Sequence, residues 1–313
     1  MIVFHGLENT KIEGESAVCI GNFDGLHLGH RLIISVLKEE AKARDLKSVI
    51  MTFNPHPFKY FHKPIKLIST PKKRMEKFYQ QETDYLVIAD FNEVLANLSP
   101  EQFVKEILVD KLHAKFLIVG NDYRFGAGKS GDTSLLSKLG AEYGITCMFA
   151  HKLKDRDGKD ISSSRIRSLL ESGQVEEAGR FLSCPYSLEG EVIHGDKLGR
   201  TFGYPTINLK AENEMIPAFG VYAAKVKIKD RIYNAMAYIG SRPTIDNKPE
   251  LRVEANIFDF NEEIYGEYVE IILYKYIRSD IKFNSFDELI AQMGRDKEEI
   301  QLYFKNIDNI KTY

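Results

Sequence analysis

The sequence predicts an α/β plus β protein: a mostly parallel sheet with helices on both faces, followed by a small antiparallel β-barrel with terminal helices. Three observations predict it. Up to about residue 182, apolar strand-like runs alternate with helical patterns, which is the signature of βα units. After about residue 185, short β-rich runs succeed one another across tight turns with no helix between them, as in a small barrel. The chain has 313 residues, and single hydrophobic cores stop growing near about 250–300 residues. Two domains are therefore expected, residues 1–183 and 184–313, with the boundary near Ser183-Cys184-Pro185.

In chain order, Ala17–Ile20 reads as a buried strand, and Leu32, Ile33, Val36, Leu37 and Ala41 form an apolar stripe at helical spacing. Ser48–Phe53, Tyr85–Ala89, Phe116–Val119 and Ile145–Phe149 read as further buried strands, with helices between. Ser99-Pro100-Glu101-Gln102 has a capping serine, a proline at the first helical position and a glutamine three residues after the cap. Asp132-Thr133 starts the next helix. Beyond the boundary, Ser187–Ile193, Val221–Ile228, Ile232–Ile239, Leu251–Phe258 and Tyr268–Tyr274 read as barrel strands. Ser285-Phe286-Asp287-Glu288 fits a capping box, followed by an apolar stripe of Leu289, Ile290 and Met293.

Composition narrows the class. Apolar residues make up 43% and charged residues 28%, as in an ordinary globular protein, and the net charge of −2 creates no global field for nucleic acid or anionic lipid. No apolar run reaches membrane-spanning length. Three cysteines, Cys19, Cys147 and Cys184, are widely spaced and fit neither a disulfide framework nor a zinc site. Charged residues break the apolar start, so no signal peptide is read. A cytoplasmic protein is expected, with no nucleic-acid or membrane partner and its oligomeric state open.

The stretch from Gly21 to His30 leaves the first strand and enters a helix with three glycines, Gly21, Gly25 and Gly29, and a His27-x-Gly29-His30 pair. Such a turn lets backbone amides approach a phosphate, and the helix N-terminus adds a favourable dipole. Histidines there can donate to phosphate oxygens whose charge grows during reaction, so nucleotidyl transfer is the expected chemistry. Ligands of parallel sheets bind beyond the carboxyl ends of the strands. The loops Phe53-Asn54-Pro55-His56-Pro57 and Gly120–Gly126, with Asp122, Tyr123 and Arg124, fall at that edge too. Gly126-Ala127-Gly128-Lys129-Ser130 is not a Walker A loop, because Tyr123 stands where the first glycine belongs. Ile161–Arg167 leads into a helix expected over Ser168–Glu171. Its serines suit N-capping. Arg165 and Arg167 at a helix start oppose the dipole unless a polyphosphate sits there.

In the second half, Gly195-Asp196-Lys197-Leu198-Gly199-Arg200 is a glycine-rich basic loop between strands, the composition of a phosphate cover. Thr206 and Asn208 alternate with Ile207, so on a strand their neutral oxygens share a face that suits Mg²⁺. Plain alternation on a half-buried strand explains them equally. Glu254 lies inside a strand, where glutamate is disfavoured. It is either a general base or a solvated residue on an open face.

Taken together, GNFDGLHLGH (21–30), FNPHP (53–57), GNDYRFG (120–126), ISSSRIR (161–167), GDKLGRTFGYPTIN (195–208), GVYA (220–223), GSRPT (240–244) and the Glu254 strand running to IYG (264–266) resemble the bacterial bifunctional riboflavin kinase/FMN adenylyltransferase (FAD synthetase) family over nearly the whole chain. The resemblance implies a Rossmann-like nucleotidyltransferase domain that joins FMN to the AMP part of ATP, giving FAD and pyrophosphate. It also implies a barrel that phosphorylates riboflavin with ATP to FMN, with Mg²⁺. Residue by residue, it implies that His27 and His30 stabilise the ATP phosphates and that Gly21, Asn22, Phe23 and Gly29 form the nucleotide loop. Ser163 and Arg165 grip ATP, with Arg167 beside them as a catalytic arginine. Pro55, His56, Asp122 and Tyr123 line the flavin side. In the barrel, Gly195, Lys197, Gly199 and Arg200 cover the nucleotide, Thr206 and Asn208 hold the metal, and Glu254 accepts the hydroxyl proton. The chain departs from the usual pattern at Ser164, Ile207 and Asn256. It also lacks a glutamate after the arginine of Ile277-Arg278-Ser279-Asp280. Asn256 and that stretch bear on flavin contacts.

Three other readings compete: an FAD synthetase whose barrel binds flavin with little or no kinase activity, a non-catalytic flavin-responsive regulator, and a different adenylyltransferase with an unrelated β-module. Thr206, Asn208 and Glu254 speak against the first, the charge balance against the second, and the ordered barrel motifs against the third.

Overall fold

The computed structural model describes residues 1–195, 203–243 and 249–310. Lys197, Gly199 and Arg200 of the expected nucleotide cover lie outside the described residues. Internal contacts divide the chain into Met1–Ser163 and Ser164–Tyr313.

The first unit is a six-stranded, all-parallel sheet in the order β1-β4-β3-β2-β5-β6. Its strands are β1 (Ile2–His5), β2 (Ser16–Ile20), β3 (Lys47–Asn54), β4 (Tyr85–Asp90), β5 (Ala114–Gly120) and β6 (Thr146–Ala150). Side chains alternate across a strand, so β2 feeds two cores. Ala17 and Cys19 pack with Ile34, Leu37 and Phe78, from helices α1 (Leu28–Ala43) and α3 (Pro71–Tyr79). Val18 and Ile20 pack on the opposite face with Val104 and Leu108 of the π-helix Phe103–Lys111 and with Leu136 and Leu139 of α6 (Thr133–Glu142). Helices thus cover both faces, as expected. β2 lies between β3 and β5, with β4 beyond β3 and β6 beyond β5. The strand order therefore reverses beside β2, and the loop after it stands at the topological switch point where such sheets bind ligands.

The helix starts at Ser99 and Asp132 behave as read. Ser99 and Gln102 cap one another reciprocally, at 3.1 and 2.9 Å, ahead of the short helix α5 (Pro100–Gln102). Asp132 accepts from Leu135 N at 2.9 Å. Three details differ from expectation. An edge strand, β1, was not read. α1 buries Ile34, Leu37 and Ala41, whereas Leu32 is 45% exposed; two residues before Ile34 it lies about 200° around the helix from that buried side chain. And helix α7 runs Ser163–Glu171 rather than starting at Ser168.

In the second unit, β7 (Tyr186–Ile193), β8 (Ile207–Ala211), β9 (Gly220–Ile228), β10 (Arg231–Pro243), β11 (Pro249–Ile257) and β12 (Tyr268–Arg278) close an antiparallel barrel in the order β10-β11-β8-β7-β12-β9. Helix α8 (Val175–Leu182) packs on β12 and β7, and the terminal helix α9 (Phe286–Ile310) packs on β10 and β9. Packing of α8 on the barrel puts the division of contacts ahead of the change in sequence character near residue 184.

Candidate active sites

The turn after β2 is tied down through its carbonyl oxygens. Thr52 Oγ1 donates to Gly21 O at 2.9 Å, Arg74 Nη2 to Asn22 O at 2.6 Å, and Ser163 Oγ to Asp24 O at 3.0 Å. Lys77 Nζ donates to Gly25 O at 3.0 Å, and Arg31 Nε to Leu26 O at 3.2 Å. Carbonyl oxygens repel phosphate and amides attract it, so a turn held by its carbonyls suits an anion. The backbone enters the left-handed region at Phe23, Gly25 and Leu26, with φ of 47°, 84° and 44°. Burial of the Phe23 and Leu26 side chains keeps the two non-glycine residues there.

His27 caps α1: its Nδ1 accepts from His30 N at 3.4 Å, which leaves the ring proton on Nε2 as a donor. His30 lies one ring below, centroids 3.6 Å apart, with the edge of Phe23 against it at 5.2 Å. Burial, followed by the charge of Lys77, pushes the His27 imidazole down to about 4. Burial, then His27 and Arg74, hold His30 well below the ordinary histidine range. Both rings are neutral at neutral pH, each able to give one N–H. His30 Nδ1 and Arg74 Nε are buried without a hydrogen-bond partner. The glycines have packing roles. A Cβ on Gly29 would stand 3.2 Å from the His27 ring, and one on Gly21 3.1 Å from the Phe23 ring.

β3 and β5 flank β2, so the loops after them share the same sheet edge. Pro55 is exposed, and His56 is buried, with Nδ1 accepting from Phe58 N at 3.1 Å as the cap of α2 (Pro57–Tyr60). The prolines thus turn that imidazole nitrogen toward the backbone. Asp122 pairs with Lys152 at 2.9 Å, and Tyr123 stacks on Phe125 at 5.9 Å, its phenol raised by burial. Of the serine-arginine segment, Ser163 is tied to the Asp24 carbonyl. Arg165 is engaged locally, 2.8 Å from Glu177 and 4.7 Å over the Phe181 ring. Arg167 is half-buried in the first turns of α7.

In the barrel, register places Ile193, Asn208, Glu254 and Tyr238 in one row across β7, β8, β11 and β10. Directly opposed residues share a face, so Asn208 and Glu254 are neighbours. Thr206 lies just ahead of β8. Asn256, two residues beyond Glu254, donates to Pro205 O at 2.7 Å and so holds the segment carrying Thr206. A cavity of about 330 Å³ is lined by Thr206, Glu254 and Asn256 at one side and by Phe283, Leu289 and Met293 at the other. Charged side chains, Arg252, Arg278 and Asp280 among them, share the lining with these apolar ones, the mixture expected of a site for an organic ligand that carries polar groups. An adjoining cavity of about 310 Å³ holds His194, Gly195 and Asn208. A Cβ on Gly195 would fall 2.2 Å from Asn208 Nδ2, so the missing side chain is the cradle of that amide. The amide and hydroxyl oxygens of Asn208 and Thr206 fit Mg²⁺, which keeps waters and substrate phosphates as its other ligands.

Residues 9–165 match the family model described as FAD synthetase, and residues 182–304 the one described as riboflavin kinase. The Bacillus subtilis (strain 168) bifunctional riboflavin kinase/FMN adenylyltransferase is 39% identical over 302 residues, covering 94% of each chain. The chain belongs to the bifunctional riboflavin kinase/FMN adenylyltransferase family. The Escherichia coli (strain K12) member is 35% identical over 303 residues, covering 96% of each chain. A crystal structure from Streptococcus pneumoniae, described as a macrolide-efflux protein, matches with a TM-score of 0.88 at 34% identity, over 96% of this chain and 99% of that one. No helix among the described residues is long and apolar enough to cross a membrane.

Sequence reasoning missed several residues of this family member's sites. Arg74 and Lys77 grip the turn after β2 from α3, and their i, i+3 spacing after Thr70-Pro71 was the available signal. Arg252 contacts Glu254, with Nε 2.9 Å and Nη2 2.7 Å from Oε1. Arg278 grips the buried Asp296 carboxylate with Nε and Nη2, at 2.9 and 2.8 Å to Oδ2, pinning α9 to β12. Tyr238 donates to Asp280 at 3.1 Å, and its phenol is pushed up to about 12, by burial first and Asp280 second.

Proposed function

We propose that this chain phosphorylates riboflavin to FMN in the barrel and then adenylylates FMN to FAD in the parallel-sheet domain, consuming ATP in both steps. The observation that carries the reading is the opposition of Glu254 and Asn208 across β11 and β8, with Glu254 lining the 330 Å³ cavity and Asn208 the 310 Å³ one beside it. The first reaction belongs to residues 184–313 and the second to residues 1–183, and the enzyme works in the cytoplasm.

In the kinase step Glu254 takes the proton of the riboflavin 5′-hydroxyl. The hydroxyl oxygen bonds to the γ-phosphorus of ATP as the bond to the β-phosphate oxygen breaks, and ADP leaves. Thr206 and Asn208 would hold Mg²⁺, which when bound offsets phosphate charge. Gly195, Lys197, Gly199 and Arg200 cover the nucleotide.

In the second step a phosphate oxygen of FMN bonds to the α-phosphorus of ATP and pyrophosphate departs. His27 and His30 donate to the transferring phosphoryl group as neutral imidazoles, and Arg167 stabilises the leaving pyrophosphate. Gly21, Asn22, Phe23, Gly29, Ser163 and Arg165 bind ATP. Pro55, His56, Asp122 and Tyr123 line the flavin side.

Incubation with riboflavin, ATP and Mg²⁺, followed by chromatography of the flavins, should show FMN rising first and FAD after it. FAD formed from supplied FMN, with none formed from riboflavin, would leave only a flavin-binding, inactive barrel.

A further inference from the structure

Arg252 stands where the two barrel cavities meet. Among the described residues it is the one that lines both the 330 Å³ slot with Glu254 and the 310 Å³ cavity with Gly195 and Asn208. It sits two residues before Glu254 on β11, so both side chains leave the same face of the strand. Gly240 opposes it on β10, and the Tyr238 phenol lies over that glycine, beside Arg252.

We propose that Arg252 is a second catalytic residue of the kinase site: it neutralises Glu254 while the site is empty and turns to the transferring phosphoryl group when both substrates are bound. The proposal rests on the kinase reading of the barrel given above. Phosphoryl transfer spreads negative charge over three equatorial oxygens between nucleotide and alcohol. A group that serves that charge must reach both compartments, and Arg252 borders both. Its resting contacts both fall on Glu254 Oε1. They do not form the two-pronged fork in which an arginine holds both oxygens of a carboxylate. At 32% exposure its side chain also has room to move, whereas Glu254 is 15% exposed. No proton passes to or from the guanidinium. The proton of the hydroxyl goes to Glu254, the new oxygen–phosphorus bond forms as the bond to ADP breaks, and Arg252 supplies charge alone.

The test is steady-state riboflavin phosphorylation by R252A and R252K in the full chain. FAD formation from supplied FMN serves as the control for folding, and riboflavin binding is titrated without nucleotide. We expect kcat of R252A to fall about 10²–10³-fold, the scale for one preorganised donor. Riboflavin affinity should change less than about threefold, the control should be unaltered, and added guanidinium ion should restore part of kcat. R252K should recover part of the rate, since an ammonium keeps the charge and loses the fork. If R252A does not fold, the R252K rate and its response to guanidinium decide alone. Wild-type kcat in either soluble variant, or a loss confined to KM, overturns the proposal and makes Arg252 a wall residue. Absence of kinase activity in the unaltered enzyme overturns the kinase reading instead.

Discussion

The imidazoles of His27 and His30 lie nearly parallel, their centroids 3.6 Å apart and their planes 19° from one another. Two stacked rings at that distance cannot both carry charge without strong repulsion, and Lys77 and Arg74 add further positive charge. The pair is therefore neutral, and in the adenylyl transfer proposed above its two N–H groups serve as donors to phosphate. His30 also continues the buried stripe of α1, four residues before Ile34, then Leu37 and Ala41. Its ring is held by the same packing that seats the helix, which is what preorganisation requires.

Replacing His30 by alanine removes a donor but leaves the turn's carbonyl ties in place. Turnover of FAD synthesis should fall about 10²–10³-fold, with a smaller change in ATP affinity and riboflavin phosphorylation intact. FMN and FAD formation measured separately against ATP concentration checks this. Normal turnover of FMN by the variant would make His30 a packing residue only.

The low His27 value predicts a pH dependence of unit stability. In the fold the imidazole titrates at about 4, against 6.5 for the ordinary group. Between those values the unfolded chain binds the proton and the folded chain does not. The stabilisation is complete above about pH 6.5 and is lost as pH falls through 4, up to roughly 3 kcal/mol. Amide-exchange protection of β2 and β3, corrected for intrinsic rates, should fall more steeply with pH in the wild type than in His27→Asn. Asparagine keeps the helix cap and does not titrate. Equal slopes would mean that His27 titrates as an ordinary histidine.

Arg74 is the strut of the turn after β2. Arg74→Met leaves Asn22 O without its arginine donor and removes the contacts to Phe53 O at 3.3 Å and to Thr52 Oγ1. Asn22 O keeps only the longer contact from Thr52 Oγ1, at 3.3 Å, and the loss of a hydrogen bond to a charged donor costs about 1.5–3 kcal/mol. The melting midpoint of the first unit should drop accordingly. FAD synthesis should fall by about tenfold or more while FMN synthesis persists. Arg74→Lys should recover little, because one ammonium cannot span the three acceptors. FAD synthesis at the wild-type rate in Arg74→Met would show that the turn keeps its shape without the strut.

What the sequence disclosed is what local pattern encodes. The strand-turn-helix of Ile20–Leu28, the Ser99/Gln102 box and the alternating runs of the barrel each carry their signal within a few residues. What it hid depends on partners far away in the chain. β1 exists because Ile2–His5 pairs with Tyr85–Ile88, and a four-residue run has no periodicity to show it. Arg74 gains meaning only when α3 lies against the turn after β2, 52 residues earlier. Arg278 found Asp296 across 18 residues, and Asn256 found Pro205 across 51. The last contact gives a physical account of a family departure: asparagine at 256 props the Thr206 segment. His56 shows a local signal at work, since Pro57 opens α2 and the ring nitrogen just before it caps that helix.

Gly195→Ala tests the cradle of Asn208 without touching a chemical group. An added Cβ would fall 2.2 Å from Nδ2 and 2.5 Å from Cγ, closer than any real contact. The amide must move, and the displacement is felt at the oxygen proposed to hold Mg²⁺ beside Thr206. Nothing else of the barrel core is altered, because Asn208 lies on the outer face with Glu254, while Leu209 and Ala255 face inward and are buried. Riboflavin phosphorylation should therefore lose about tenfold or more in kcat/KM for ATP. The Mg²⁺ concentration needed for half-maximal rate should rise, and flavin binding to the slot should hold. Asn208→Ala should share the raised Mg²⁺ requirement, and in its background Gly195→Ala should add little, since contacting residues couple when one acts through the other. Additive losses in the double variant, or an unchanged Mg²⁺ requirement in both, would separate Gly195 from Asn208 and leave the glycine as a feature of the nucleotide cover alone.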